Sequence, residues 1–279
     1  MTCADVTCEP RKPLLHYVDA GQGETVLLLH GSASTSAIWR HTARTLQSFY
    51  HVVAPDLIGY GRSPAWPADV PYSVEAEIHA LQALLPCCAA NYHLVGHSYG
   101  GLTALMLALA SPTRVLTLTL IEPVFFAALR YHDDKTAYRG FSEVRDTFLS
   151  KLAGGDVETA MRGFTCFWTG DGAWERMPDD IRKDLMEQAG KIELDWHSSF
   201  AAEADLNGLA SLGPRTLLLY GDHSPAPMLR LIDALHALMP GSTHTPVPGA
   251  GHLLPVTHAA AVTQCMLSHL HADAERRLS

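Results

Sequence analysis

Two short stretches, far apart in the chain, hold the groups needed to open a carbonyl compound. The first is Val95-Gly96-His97-Ser98-Tyr99-Gly100-Gly101, a Gly-x-Ser-x-Gly pattern lying just after a strand-like run and just before a helix-like one. A serine on a sharp strand-to-helix turn needs small neighbours, because side chains at Gly96 and Gly100 would collide with the adjoining backbone. Such a turn exposes the hydroxyl and sets it at a helix N-terminus, where unpaired N–H groups and the dipole favour developing negative charge. A serine hydroxyl attacks poorly until a base takes its proton, so a histidine must arrive from elsewhere. The candidate is His252, in the small-residue loop Gly249-Ala250-Gly251-His252 that follows the last strand-like run. The chain has 16 histidines, so position and not residue type singles it out; His97 reads as packing behind the turn. A third stretch, Leu29-His30-Gly31-Ser32, ends an early strand-like run. If the backbone turns outward there, the N–H groups of Ser32 and Tyr99 form a two-donor oxyanion hole, worth several kcal/mol in comparable sites.

These groups need a frame. Thr25–Leu29, His51–Ala54, Tyr92–Val95 and Val115–Ile121 are compact apolar runs suited to parallel strands buried on both faces. Between them, Ala37–Phe49, Val74–Leu85 and Gly101–Ala110 have the length and composition of crossover helices. The alternation stops from about Phe125 to Asn207, which reads as helical and aromatic. Strand character returns at Thr216–Tyr220, followed by a helix near Met228–Leu238, a short strand at Thr245–Val247 and a last helix from about His258 to Ala274. The expectation is an α/β protein with a doubly wound, mostly parallel sheet. Residues 1–124 and 208–279 form its core domain and residues 125–207 an inserted helical cap. No repeat or low-complexity tract interrupts this plan.

Composition narrows the function. A chain of 279 residues that is 47% hydrophobic buries a full core. Its net charge of -9, without a basic cluster, argues against nucleic acid and anionic membranes as partners. Cys3, Cys8, Cys87, Cys88, Cys166 and Cys265 show no metal-ligand spacing with nearby histidines, so reduced thiols are expected. Met1 to Leu15 lacks the apolar run of a secretory leader, and no stretch is apolar enough to span a bilayer. A cytoplasmic location is the expectation.

With these motifs in view, the chain resembles the α/β-hydrolase superfamily over nearly its whole length. Asp56-Leu57-Ile58-Gly59-Tyr60-Gly61-Arg62-Ser63 is similar to the family's DxxGxGxS loop, and the spacing from His30 to Trp39-Arg40 resembles the capped branch that holds haloalkane dehalogenases and carbon–carbon bond hydrolases. The dehalogenases use an aspartate nucleophile where this chain has Ser98. Family order, serine before histidine, agrees with Ser98 and His252. The acid departs from the commonest pattern: Gly221-Asp222-His223-Ser224 puts serine where an aspartate is usual, with Asp222 too early. The family's second location, after the strand that follows the nucleophile, falls on Glu122. Glu122 is therefore the preferred acid and Asp222 the alternative, each with a structural reading as a strand-end or turn carboxylate. The resemblance implies a carboxylic-ester hydrolase acting on a small apolar ester, with no metal or organic cofactor. Gly31, Phe125, Trp168 and Leu253 are the candidate substrate-binding residues, although aromatic side chains at helical spacing also pack cap against core. A carbon–carbon hydrolase of diketone type, a receptor that keeps the triad, and an acyltransferase or perhydrolase are the rival readings.

Overall fold

A computed structural model describes residues 15–85 and 90–278. The expectations about the leading residues and about Cys3, Cys8, Cys87 and Cys88 lie outside this range. Seven strands, β1 (Tyr17–Ala20), β2 (Thr25–Leu29), β3 (His51–Pro55), β4 (Tyr92–His97), β5 (Val115–Ile121), β6 (Thr216–Gly221) and β7 (Thr243–Val247), make one sheet in the order β1-β3-β2-β4-β5-β6-β7. Every neighbouring pair is parallel except β1 with β3. The sheet is thus the doubly wound, mostly parallel one that the apolar runs imply. β1 escapes sequence reading because it is a four-residue edge strand whose central Val18 and Asp19 both face solvent.

A short 3-10 turn (Ser36–Trp39) leads into α1 (Arg40–Leu46), where the sequence suggests one continuous helix. Next come α2 (Val74–Leu84) and α3 (Tyr99–Ala110). Between β5 and β6 run α4 (Ala127–Tyr131), α5 (Lys135–Ala153), α6 (Val157–Thr169), α7 (Asp179–Glu187), α8 (Ala189–Ala201) and α9 (Leu206–Leu212); α10 (Ala226–Leu238), α11 (Leu254–Thr257) and α12 (Ala259–Leu278) follow. Side-chain caps set several of these starts: Asp134, Asp156 and Asp205 accept from the N–H groups of Ala137, Thr159 and Gly208, each satisfying a donor that the first turn leaves unpaired.

Alternate residues of the central strands feed two cores, as two-sided burial requires. Leu27, Leu29, Leu94, Leu118 and Leu120 pack with α2, α3 and the helices of the insertion. Val26, Leu28, Val95, Leu217 and Leu219 pack on the other face with Val262 and Met266 of α12. There Thr42 on α1 and Thr263 on α12 share a hydroxyl hydrogen bond of 2.9 Å. The insertion leaves from β5 and returns on its neighbour β6, paired from Leu118↔Thr216 to Ile121↔Leu219. Among the described residues, no helix is long and apolar enough to cross a membrane.

Candidate active site

Ser98 sits where β4 gives way to α3, with φ 54° and ψ -117°, a left-handed conformation that costs a non-glycine residue about 1–3 kcal/mol. The surroundings hold it there: Ser98 N–H donates to Ile121 O at 2.9 Å, and its carbonyl accepts from the N–H groups of Gly101 and Leu102. Crowding at the bend forbids larger neighbours, since a Cβ on Gly96 would lie 2.1 Å from Gly100 O. The hydroxyl is left pointing at an imidazole.

That imidazole belongs to His252, in the loop after β7. Its Nε2 is 3.1 Å from Ser98 Oγ, and its Nδ1 is 2.6 Å from Glu122 Oε2. Glu122, at the end of β5, is fully buried and also takes a positive φ of 45°. Its second oxygen, Oε1, accepts from Gly221 N–H at 2.8 Å and from Ser224 Oγ at 2.5 Å. Ser224 occupies the position where the sequence comparison expects an aspartate, and it secures the carboxylate that stands in the other location. Asp222 turns away: half-exposed, it accepts from Gly249 N–H at 2.7 Å and so braces the loop that carries His252.

His97 does more than pack behind the bend. Its Nε2 meets the His252 carbonyl at 2.8 Å. Burial, reinforced by His252, holds its pKa well below the ordinary imidazole value, so the neutral ring donates from Nε2 and tethers the histidine loop. Its ring lies 4.8 Å from that of His252. On another side Trp168, from α6, stacks on His252 with centroids 4.0 Å apart and planes 26° from parallel. The sequence suggests that the segment holding Trp168 roofs Ser98, but nothing local marks its partner.

Ser32 and Tyr99 flank Ser98. Neither backbone N–H has a protein acceptor among the described residues, and that of Tyr99 opens α3, where first-turn donors have no intrahelical partner. The Ser32 side chain is fixed from the insertion by Asp195 on α8, whose Oδ2 accepts its hydroxyl at 2.6 Å. Tyr99 OH contacts Tyr72 OH and Ser198 Oγ, both at 3.1 Å. Gly31 gives Ser98 room, because a Cβ there would stand 2.9 Å from Ser98 Cβ.

Ser98 and His252 open on a cavity of about 150 Å³ whose wall includes Ser32, Phe126, Phe164, Trp168, Asp195, Trp196 and Leu253. Of the candidate substrate-binding residues, Trp168 and Leu253 line this cavity. Phe125 does not: it is fully buried with its ring edge-on to Tyr131, and Phe126 faces the cavity instead. Side chains diverge by about 100° per residue as the chain turns into α4, so only one of the pair can face the site. Phe126 in turn packs on Phe141, Trp196 and Phe200.

Residues 24–259 match the sequence profile of the alpha/beta hydrolase fold. Among curated proteins, the chain is 41% identical over 99 residues to the lipase LipV of Mycobacterium tuberculosis, covering 35% of this chain and 36% of that one. It is 30% identical over 179 residues to a fluoroacetate dehalogenase of Burkholderia sp., covering 61% and 59%. The chain therefore spans between about a third and three-fifths of the length of these relatives. Among solved structures, a meta-cleavage product hydrolase (CumD) from Pseudomonas fluorescens IP01 superposes with a TM-score of 0.68 at 19% identity, over 92% of this chain and 94% of that one.

Proposed function

Because the chain belongs to the α/β-hydrolase fold family, we propose that it cleaves carboxylic esters of small apolar molecules through an acyl-enzyme on Ser98. One observation carries this reading: a continuous relay runs from Ser98 Oγ through the two nitrogens of His252 to Glu122, at 3.1 and 2.6 Å, beside a largely apolar cavity. His252 takes the hydroxyl proton as Ser98 attacks the carbonyl, and returns it to the leaving alkoxide. Glu122 holds the imidazole in the tautomer whose Nε2 is free to accept, and stabilises the imidazolium. The N–H groups of Ser32 and Tyr99 receive the oxyanion. Water then attacks the acyl carbon and gives a proton to His252; the bond to Ser98 Oγ breaks as His252 returns that proton to the serine, and the acid leaves.

The helices of residues 125–207 act as a cap that excludes bulk water from the acyl-enzyme. Phe126, Phe164, Trp168, Trp196 and Leu253 give the acyl group an apolar wall, and a cavity of about 150 Å³ favours short chains. A panel of p-nitrophenyl esters of increasing acyl length tests the reading, with Ser98→Ala alongside. Turnover should peak at short acyl groups and vanish in the variant. Undiminished turnover by Ser98→Ala, or rapid labelling of Ser98 by a fluorophosphonate without turnover of any ester, sinks it.

A further inference from the structure

The cavity beside Ser98 has a carboxylate in its wall, from Asp195, and among its described lining residues there is no lysine or arginine. Asp195 is only 3% exposed, so it is not a solvated surface charge. Its Oδ2 accepts from Ser32 Oγ and Tyr60 OH, both at 2.6 Å, and its Oδ1 pairs with Lys191. Lys191 is itself committed away from the cavity. It contacts Tyr72 OH at 2.6 Å and Glu77 at 3.4 Å, with its ammonium over the rings of Tyr60, Tyr72 and Tyr99. One ammonium is thus shared by two carboxylates, and of these three groups only the Asp195 carboxylate borders the substrate space. Buried ion pairs are poor devices for stability, because desolvation offsets most of the attraction. Apolar residues would close this contact between α8 and the core equally well.

We infer that Asp195 is a specificity-determining residue that makes the acyl cavity selective for uncharged acyl groups and turns away those ending in a carboxylate. The inference rests on the ester reading and adds the chemical class of the acyl group. A space of about 150 Å³ lined by both Ser98 and Asp195, comparable to one that holds a benzene molecule, brings the end of a short acyl chain near the Asp195 carboxylate while the carbonyl sits at Ser98. Two like charges about 5 Å apart at an effective permittivity of about 20 repel by enough for a few hundredfold in kcat/KM. Partial neutralisation by Lys191 brings the expectation down to about tenfold or more.

p-Nitrophenyl butyrate and mono-p-nitrophenyl succinate differ by a methyl group against a carboxylate at the chain end. With the Ser98→Ala rate subtracted as background, the wild-type protein should favour the butyrate by about tenfold or more in kcat/KM. Asp195→Asn should bring the ratio close to one, and Lys191→Met, which leaves Asp195 without its cation, should widen it. A wild-type ratio near one, or a ratio that neither variant moves, overturns the inference while leaving ester hydrolysis in place. If neither ester is cleaved, the ester reading fails. The same ratio is then read from the rates at which an alkyl and an ω-carboxyalkyl fluorophosphonate label Ser98, and equal rates there overturn the inference too.

Discussion

Replacing Glu122 by glutamine keeps the side chain's length and shape, removes its charge and forces a choice between two faulty arrangements. The carboxylate now accepts three hydrogen bonds, from His252 Nδ1, Gly221 N–H and Ser224 Oγ. A glutamine has one accepting oxygen and one donating nitrogen. If the nitrogen faces β6 it opposes the Gly221 N–H, a backbone donor that cannot turn away, in a fully buried place. If it faces His252 it demands that Nδ1 accept. The ring proton then moves to Nε2, which can no longer take the Ser98 proton. The second arrangement keeps the Gly221 bond and should prevail. The wrong tautomer in a comparable hydrolytic triad lowers kcat by about 10⁴, or roughly 5 kcal/mol of transition-state stabilisation. Steady-state kinetics on a short-chain p-nitrophenyl ester should show that loss in kcat with KM little changed, while circular dichroism and thermal unfolding stay close to wild type. Asp222→Asn should keep kcat within about threefold, since its loop-bracing bond to Gly249 can be made by an amide oxygen. A Glu122→Gln variant with more than a tenth of wild-type kcat would refute the reasoning, and a collapse confined to Asp222→Asn would move the acid.

Ser224→Ala removes one donor from a buried carboxylate, a loss of about 1.5–3 kcal/mol, and should lower kcat about tenfold or more; a variant within twofold of wild type denies Ser224 any part in holding Glu122. Trp168→Leu takes the aromatic face from His252, where an imidazolium forms during turnover, and should lower kcat about tenfold. Trp168→Phe should recover most of it, and equal kcat values for the two variants would show that the ring face is idle. His30 offers a pH test of stability. It donates from Nδ1 to Gly31 O at 2.7 Å and accepts from Leu57 N–H at Nε2, at 2.9 Å, so only the neutral ring satisfies both. Burial holds its pKa at about 4, against an ordinary 6.5. The folded state thus binds fewer protons than the unfolded one between these values, and stability that is full above pH 6.5 is lost as the pH falls toward 4, by roughly 3 kcal/mol. Thermal unfolding followed from about pH 7 down to about pH 4.5 should show this slope in the wild type and a flatter one in His30→Gln; equal slopes assign the acid sensitivity elsewhere.

Much of the frame is legible because burial on both faces writes itself into single segments. Thr25–Leu29 and Val115–Ile121 are compact, mostly apolar runs, and the strands begin and end with them. The bend at Ser98 is legible for a similar reason, since the glycines that permit it lie within two residues. What escapes is the contact between segments far apart in the chain. Ser224 reaches Glu122 across 102 positions, and Asp195 reaches Ser32 across 163. No local pattern encodes such a meeting, which depends on where the helices of the insertion dock. The exchange of Phe125 for Phe126 is a fault of phase: composition puts aromatic residues after β5, but the turn into α4 decides which one faces the cavity. β1 is missed because an edge strand need not be apolar.

The register that joins β5 to β6 has a consequence for how this architecture diversifies. The helical excursion departs just past Ile121 and rejoins at Thr216, on strands already zipped together from Leu118↔Thr216 to Ile121↔Leu219. Both roots are clamped by the same ladder that sets the carboxylate of Glu122 beside Gly221. Lengthening, shortening or exchanging the excursion therefore leaves that ladder in place, while the contacts of Trp168 with His252 and of Asp195 with Ser32 change with it; loop-closure entropy penalises a doubling of its length by only about 0.6 kcal/mol. On the proposed reading, an exchanged roof alters the cavity wall and the groups that brace His252 and Ser32 together, so the two are not independent.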